Sequence, residues 1–193
     1  MSVEYEWKFD AAPSVLTAID QAFSGDRQFL TMETVYYDTP SGALSARRYT
    51  LRLRLENRTA VCTLKAPEQG AGRGEWETEC SRIEDAIPEL CKLGAPTDLP
   101  DLAAEGLVAV CGARFQRVAR TVVLEECTLE LAIDKGILTG GGRQIPLCEV
   151  EVELKSGSRE ACDRYAQALA RQFSLQPEPK SKFRRAFDLS KGV

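Results

Sequence analysis

Alternation of charged and bulky residues, repeated in four separated runs, restricts the fold of this chain more than any other feature. Glu4, Glu6 and Lys8 alternate with Tyr5 and Trp7, and Arg52 and Arg54 with Leu51, Leu53 and Leu55. Glu75, Glu77 and Glu79 alternate with Trp76 and Thr78, and Glu149, Glu151 and Glu153 with Val150, Val152 and Leu154. Side chains of a β-strand point alternately to its two faces, so each run reads as a strand with one charged face and one mostly apolar face. One such strand would be an ordinary surface strand. Several, carrying both signs of charge, predict charged faces gathered around a shared space suited to a polyanion and its metal ions.

Strands are expected at residues 3–9, 33–37, 48–56, 60–66, 74–80, 115–125, 128–138 and 145–154, separated by turn sequences such as Asp38-Thr39-Pro40-Ser41-Gly42. The glycine run Gly140-Gly141-Gly142 precedes a strand, not a helix, and so reads as a hairpin turn and not as a phosphate loop. Helices are expected at 14–23, at 81–93, where Ser81 and Glu84 have capping-box spacing, briefly after Asp98, and at 159–173. Residues 65–74 read as a loop and 176–181 as a linker into a final basic segment. Eight strands in mostly sequential order can close into an antiparallel barrel, which removes the edges. The expected fold is therefore α+β. It is a single domain over residues 1–193, an eight-stranded antiparallel closed β-barrel with its charged faces inward and its apolar faces beneath flanking helices.

Composition narrows the chemistry. The net charge of −4 argues against general nucleic-acid binding, which normally shows a basic surplus. Histidine is absent, so any metal must be held by carboxylate oxygens, a donor set that favours hard cations such as Mg²⁺ or Mn²⁺. Seven scattered cysteines with no C-x-x-C pair form neither a disulfide framework nor a zinc site. Together with the absence of a leader-like or long apolar run, they predict a cytoplasmic protein with no membrane contact. Association into a homodimer is compatible with these features.

Glu4 and Glu6 repel each other on one strand face unless a cation lies beside them, although Lys8 could serve as their partner on a solvated face. The run Glu149, Glu151 and Glu153 concentrates more like charge, and Asp134 shares its phase with Glu130. The basic candidates are Arg52, Arg54, Lys65, Arg117, Arg120, Lys182 and Arg185. Such a set is costly to bury unless it pairs with carboxylates or awaits an anion, while a lone Arg or Lys is ordinarily solvated surface.

In these residues the chain resembles the CYTH superfamily, the triphosphate tunnel metalloenzymes. The resemblance begins with E-x-E-x-K at Glu4, Glu6 and Lys8. It continues through Tyr36-Tyr37-Asp38-Thr39-Pro40, Leu51-Arg52-Leu53-Arg54, Thr63-Leu64-Lys65, Glu77 with Glu79, and Phe115-Gln116-Arg117. It ends with Ala132-Ile133-Asp134-Lys135-Gly136, the Glu149–Glu153 run with Ser156-Gly157, and Ser181-Lys182-x-x-Arg185. The spacing is most similar to the bacterial inorganic triphosphatase branch. The resemblance implies a charged tunnel in an eight-stranded barrel and Mg²⁺- or Mn²⁺-dependent hydrolysis of a small-molecule triphosphate, inorganic tripolyphosphate foremost. By resemblance, Glu4, Glu6, Asp134, Glu149, Glu151 and Glu153 would hold metal. Arg52, Arg54, Lys65, Arg117, Arg120, Lys182 and Arg185 would bind the triphosphate. Lys8 and Lys65 would act on the phosphates, and Glu77 and Glu79 would orient basic groups or water. Thiamine triphosphatase, class IV adenylyl cyclase and a non-catalytic polyphosphate- or nucleotide-binding module are the alternatives.

Overall fold

A computed structural model describes residues 2–67 and 73–192. Ten strands form one antiparallel sheet in the order β1-β6-β5-β4-β3-β7-β8-β9-β2-β10. The first six are β1 (Ser2–Val3), β2 (Glu6–Asp10), β3 (Gln28–Asp38), β4 (Thr50–Glu56), β5 (Thr59–Pro67) and β6 (Arg73–Glu79). Then follow β7 (Val108–Val123), β8 (Cys127–Gly140), β9 (Arg143–Gly157) and β10 (Gln176–Pro177). The helices are α1 (Pro13–Ala22), α2 (Ala43–Ala46), α3 (Ile83–Lys92), α4 (Leu99–Ala103), α5 (Arg159–Phe173) and α6 (Lys182–Lys191).

The expected closed barrel is seen as an antiparallel sheet whose ladder is open. Eight longer strands run from β6 to β2, and the first stretch of chain joins their two ends. β1 pairs with β6 and β2 with β9, with only Glu4 and Tyr5 between the two pairings. The flanks of the sheet therefore lie within roughly 10 Å of each other, three Cα steps. The Gly140-Gly141-Gly142 run makes the β8–β9 hairpin, with Gly140 opposite Arg143 and positive φ of 58° and 75° at Gly141 and Gly142. Of the loop expected at 65–74, Lys65–Pro67 continue β5, and residues 68–72 lie outside the described residues.

The apolar faces do point outward. Phe9, Leu129, Leu131, Ile133, Val150 and Val152 pack beneath α1 and α5, meeting Leu16, Ile19, Ala161 and Leu169. On the other side Leu51, Leu64 and Trp76 pack beneath α2, α3 and α4, meeting Leu44, Ile87, Leu90 and Leu99. The expected capping box is not formed: α3 starts at Ile83 after Arg82, with no side-chain cap. Asp38 of the Tyr-Tyr-Asp-Thr-Pro turn is buried and accepts backbone N–H bonds from Thr39, Leu44 and Ser45, which fastens the start of α2. That turn is scaffold.

The inner face is not charged throughout. Met32, Tyr36, Ala113, Phe115, Leu138 and Leu147 make a third apolar cluster with Ala186, Phe183 and Phe187 of α6. The final basic segment is thus a helix that stoppers one end of the curled sheet. It seats closely, because a Cβ on Gly140 would lie 2.3 Å from the Ala186 carbonyl oxygen.

Candidate active site

A cavity of about 360 Å³ remains inside the sheet above α6, and each of the eight longer strands contributes to its wall. Eight acidic and seven basic side chains line it. Glu4, Glu6, Lys8, Arg52, Arg54, Lys65, Glu77, Arg117, Glu151, Glu153 and Lys182 of the sequence candidates stand in that lining. β4 lies four strands from β9 in the sheet order, so the arginines and the glutamate run face each other across the space.

Asp134, Glu149 and Arg185 lie deeper and are joined to the lining by ion pairs. Arg117 grips Asp134 with its Nε and Nη2, both at 2.7 Å, and also reaches Glu151. Lys182 Nζ stands 2.8 Å from Asp134 and 2.7 Å from Glu151 and also bonds Glu149. Arg185 closes the cluster on the second oxygen of Glu149. Burial pulls the Lys182 ammonium down, but Asp134, Glu151 and Glu149 more than reverse this and hold it above its usual range. Burial pushes Glu151 up, and Lys182 and Arg117 outweigh it, keeping the carboxyl well below the ordinary range. α6 starts at this point: Ser181 accepts the Arg184 N–H, and Ser181, Lys182 and Phe183 face the cavity. The helix N-terminus adds positive potential there.

Nearer the rim the carboxylates are less compensated. Register places Glu6 opposite Glu153, and Glu153 opposite Glu130, a row of three like charges across β2, β9 and β8. Directly opposed like charges are destabilising, and strands pair only about 4.8 Å apart. Lys8 engages one oxygen of Glu6 at 3.0 Å and Lys155 one of Glu153 at 2.8 Å, while Glu130 has Arg117 at 3.6 Å and Lys155 at 3.9 Å. Burial, then Glu151 and Glu4, still push Glu6 up, and burial pushes Glu153 up against the pull of Lys155. Glu4 is pushed up by burial, but Lys65, its ion-pair partner, more than offsets this and lowers it. A row of hard oxygen donors is the type of ligand that a divalent cation takes.

The cationic wall is ion-paired but leaves buried donors unused. Arg54 meets Glu56 at 3.1 Å, and Arg52 stands 3.6 Å from both Glu75 and Glu77. Among the described residues, Nε of Arg52, of Arg54 and of Arg185 is buried with no hydrogen-bond partner. Burial, followed by repulsion from Arg52, lowers the Arg54 guanidinium below its ordinary value. Glu77 also accepts from Thr63 Oγ1 at 2.8 Å.

Two candidates stand apart. Arg120 is not in the cavity; three residues from Arg117, it falls on the opposite face of β7. There it is buried against α1 and donates to the Asp20 carbonyl at 2.9 Å and to its carboxylate. Glu79 shares the phase of Glu77, but it is exposed and lies outside the lining. Sequence reasoning passed over Glu75, which pairs with Lys65 at 3.4 Å and with Arg52, although it stands in phase with Glu77. It also passed over Lys155, which stands in the lining beside Glu130, the residue whose phase Asp134 shares.

A family model for the CYTH domain matches residues 2–187. The chain belongs to the CYTH domain family. It is 24% identical to an inorganic triphosphatase of Haemophilus influenzae, over 97% of this chain and 55% of that protein, so it spans about half of the curated relative. Among solved structures it is similar to a putative adenylyl cyclase from Hippeastrum, described as having a dominant triphosphatase activity (TM-score 0.69, 18% identity, 98% and 96% of the two chains). The PH1819 protein of Pyrococcus horikoshii gives a TM-score of 0.62 at 22% identity, over 97% and 99%. A putative adenylate cyclase from Bacillus halodurans gives 0.61 at 19%, over 93% and 94%. These structural likenesses carry the fold alone. No helix among the described residues is long and apolar enough to cross a membrane.

Proposed function

We propose that this CYTH domain hydrolyses a small-molecule triphosphate, inorganic tripolyphosphate first among the candidates, with the help of Mg²⁺ or Mn²⁺. The observation that carries this reading is a like-charged carboxylate row and an arginine wall with unused buried donors in one cavity. The lining is nearly balanced, with eight acids to seven bases, so a highly charged triphosphate cannot be neutralised by the wall alone. Divalent cations supply the missing charge.

Glu4, Glu6 and Glu153 would hold the metal, which when bound neutralises phosphate oxygens and raises the reactivity of water. Arg52, Arg54 and Lys65 bind the phosphate chain from the opposite side, with Glu75 and Glu77 fixing the arginine heads. Arginine forks suit phosphate oxygens and stabilise charge that moves as the phosphoanhydride bond breaks. Lys8 holds Glu6 in place and reaches the same space. Arg117, Lys182 and Arg185 form the inner anion-binding end.

Adenylyl cyclase activity is less well supported. Among the described residues the aromatic rings of the lining are Tyr36 and Phe183, which pack on each other with centroids 5.1 Å apart, so neither ring stands free to receive a base. The test is a panel of tripolyphosphate, thiamine triphosphate and ATP with Mg²⁺ or Mn²⁺, with and without excess chelator. Chelator-sensitive phosphate release, fastest from tripolyphosphate, is expected, with Ca²⁺ supporting less. Cyclic AMP as the main product would replace this reading with the cyclase, and tight tripolyphosphate binding without turnover would replace it with a binding module.

A further inference from the structure

Asp134, Glu149 and Glu151 offer carboxylate oxygens within 4.8 Å of one another, spacing that could accept a metal ion. In the structure the space among them is already taken by the Lys182 ammonium. Its nitrogen contacts all three carboxylates, Asp134 at 2.8 Å, Glu151 at 2.7 Å and Glu149 by a close ion pair. Every remaining oxygen of the trio is also engaged. Asp134 Oδ1 receives Arg117 Nε, Glu151 Oε2 receives Arg117 Nη2, and Glu149 Oε2 receives Arg185. Three carboxylates balance three cations. Asp134 and Glu149 have no exposed surface, so a metal here would have to displace a buried ammonium from all three carboxylates at once.

Buried cations need partners of this kind to hold their position. Lys182 and Arg185 stand one turn apart on α6, whose seat against Gly140 fixes the backbone. The carboxylates then determine where the two heads point. Resting on the triphosphate reading above, we infer that Asp134 and Glu149 are positioning residues and not metal ligands: they aim Arg117, Lys182 and Arg185 at the phosphate chain. The metal falls to the rim carboxylates.

The test separates metal affinity from anion affinity. Mn²⁺ binding to the substrate-free protein, followed by electron paramagnetic resonance, needs no turnover. Asp134→Asn should bind Mn²⁺ within about twofold of wild type, while Glu6→Gln should weaken it by about tenfold or more, the loss expected for a ligand. With saturating Mg²⁺, Asp134→Asn should raise KM for tripolyphosphate about tenfold and leave kcat within about threefold, the signature of lost ground-state binding. A variant that was only partly folded would lose kcat and keep KM. If Asp134→Asn does not fold, the charge-balanced double variant Asp134→Leu with Lys182→Met takes its place in the Mn²⁺ measurement, where wild-type affinity is expected. Loss of Mn²⁺ affinity in Asp134→Asn or the double variant comparable to that in Glu6→Gln would overturn the inference, as would an unchanged KM. If no triphosphate is turned over at all, the functional reading fails and the Mn²⁺ comparison still decides which carboxylates hold metal.

Discussion

Arg54 and Arg117 face the same cavity, yet replacing each with alanine should produce opposite thermodynamic signatures. The Arg54 side chain is 13% exposed, and its ion-pair partner Glu56 is 35% exposed at the rim. An ion pair with so accessible a partner contributes at most about 1 kcal/mol. Burial and the charge of Arg52 already disfavour the Arg54 cation in the empty protein. Arg54→Ala should therefore move Tm by no more than about 2–4 °C, the shift that ~1 kcal/mol produces in a domain of this size. On the proposed function, contact with the reacting phosphate would be worth about 3–4 kcal/mol, so kcat/KM should fall by a factor on the order of 10²–10³. Arg117 by contrast holds Asp134 with two bonds of 2.7 Å and also Glu151. Removing it strands buried carboxylates at a cost of about 3–5 kcal/mol, enough to lower Tm by roughly 10 °C. Scanning calorimetry and initial rates on both variants supply the two axes, with Arg171→Ala, on the exposed side of α5, as a silent control. Wild-type kcat/KM in Arg54→Ala would refute its role in binding, and an unshifted Tm in Arg117→Ala would refute the structural role that Arg117 carries in addition to binding.

Glu6 is held above the ordinary carboxylate range, so its ionised form costs stability at pH 7; Glu6→Gln should leave Tm unchanged or higher while reducing turnover to a few per cent or less. Gly140→Ala should drive a methyl into the Ala186 carbonyl, unseat α6 and cost about 1–3 kcal/mol by thermal melt, with loss of activity alongside. Burial pushes the Cys62 and Cys111 thiols up to about 12, and that of Cys162 to about 11. At pH 8 all three should resist an aromatic disulfide reagent until denaturant is added, and fast native labelling of any of them would show that its apolar cluster opens.

The faces of the strands were legible because period-two alternation is a local property. Glu4, Arg52 and Glu151 could be placed inward, and Trp76, Leu51 and Val152 outward, without knowing any partner. Arg120 was misplaced for the same local reason, since a spacing of three from Arg117 reverses the face of a strand. α6 was hidden because its apolar stripe is only Phe183, Ala186 and Phe187 within a basic sequence. Its end signals were present in Ser181 at the N-cap and Gly192 at the C-cap. The strand starts at Gln28 and Val108 were missed because their first residues carry no clean alternation. The pairing of Lys182 with Asp134 and Glu149 joins residues more than thirty apart, and no local pattern encodes it.

The inverted arrangement accounts for how a domain can carry so many opposed charges. In an ordinary barrel the inner face supplies the hydrophobic core, and fifteen ionisable side chains there would be prohibitive. Here two apolar clusters lie on the outer surface beneath helices and a third fills the end stoppered by α6. Burial of that surface, at about 25 cal/mol per Å², holds the sheet without help from the cavity. The cavity is thereby released from the requirement to be stable when empty, and its imbalance becomes useful. The like-charged row Glu6–Glu153–Glu130 is uncomfortable without a cation, and Arg52 and Arg54 keep buried donors unused without an anion. Ligands that bring both would relieve both at once, so metal and triphosphate should bind with positive coupling, each raising affinity for the other by the same factor. If Mn²⁺ affinity is the same with and without a non-hydrolysable triphosphate analogue, the two walls do not serve one site.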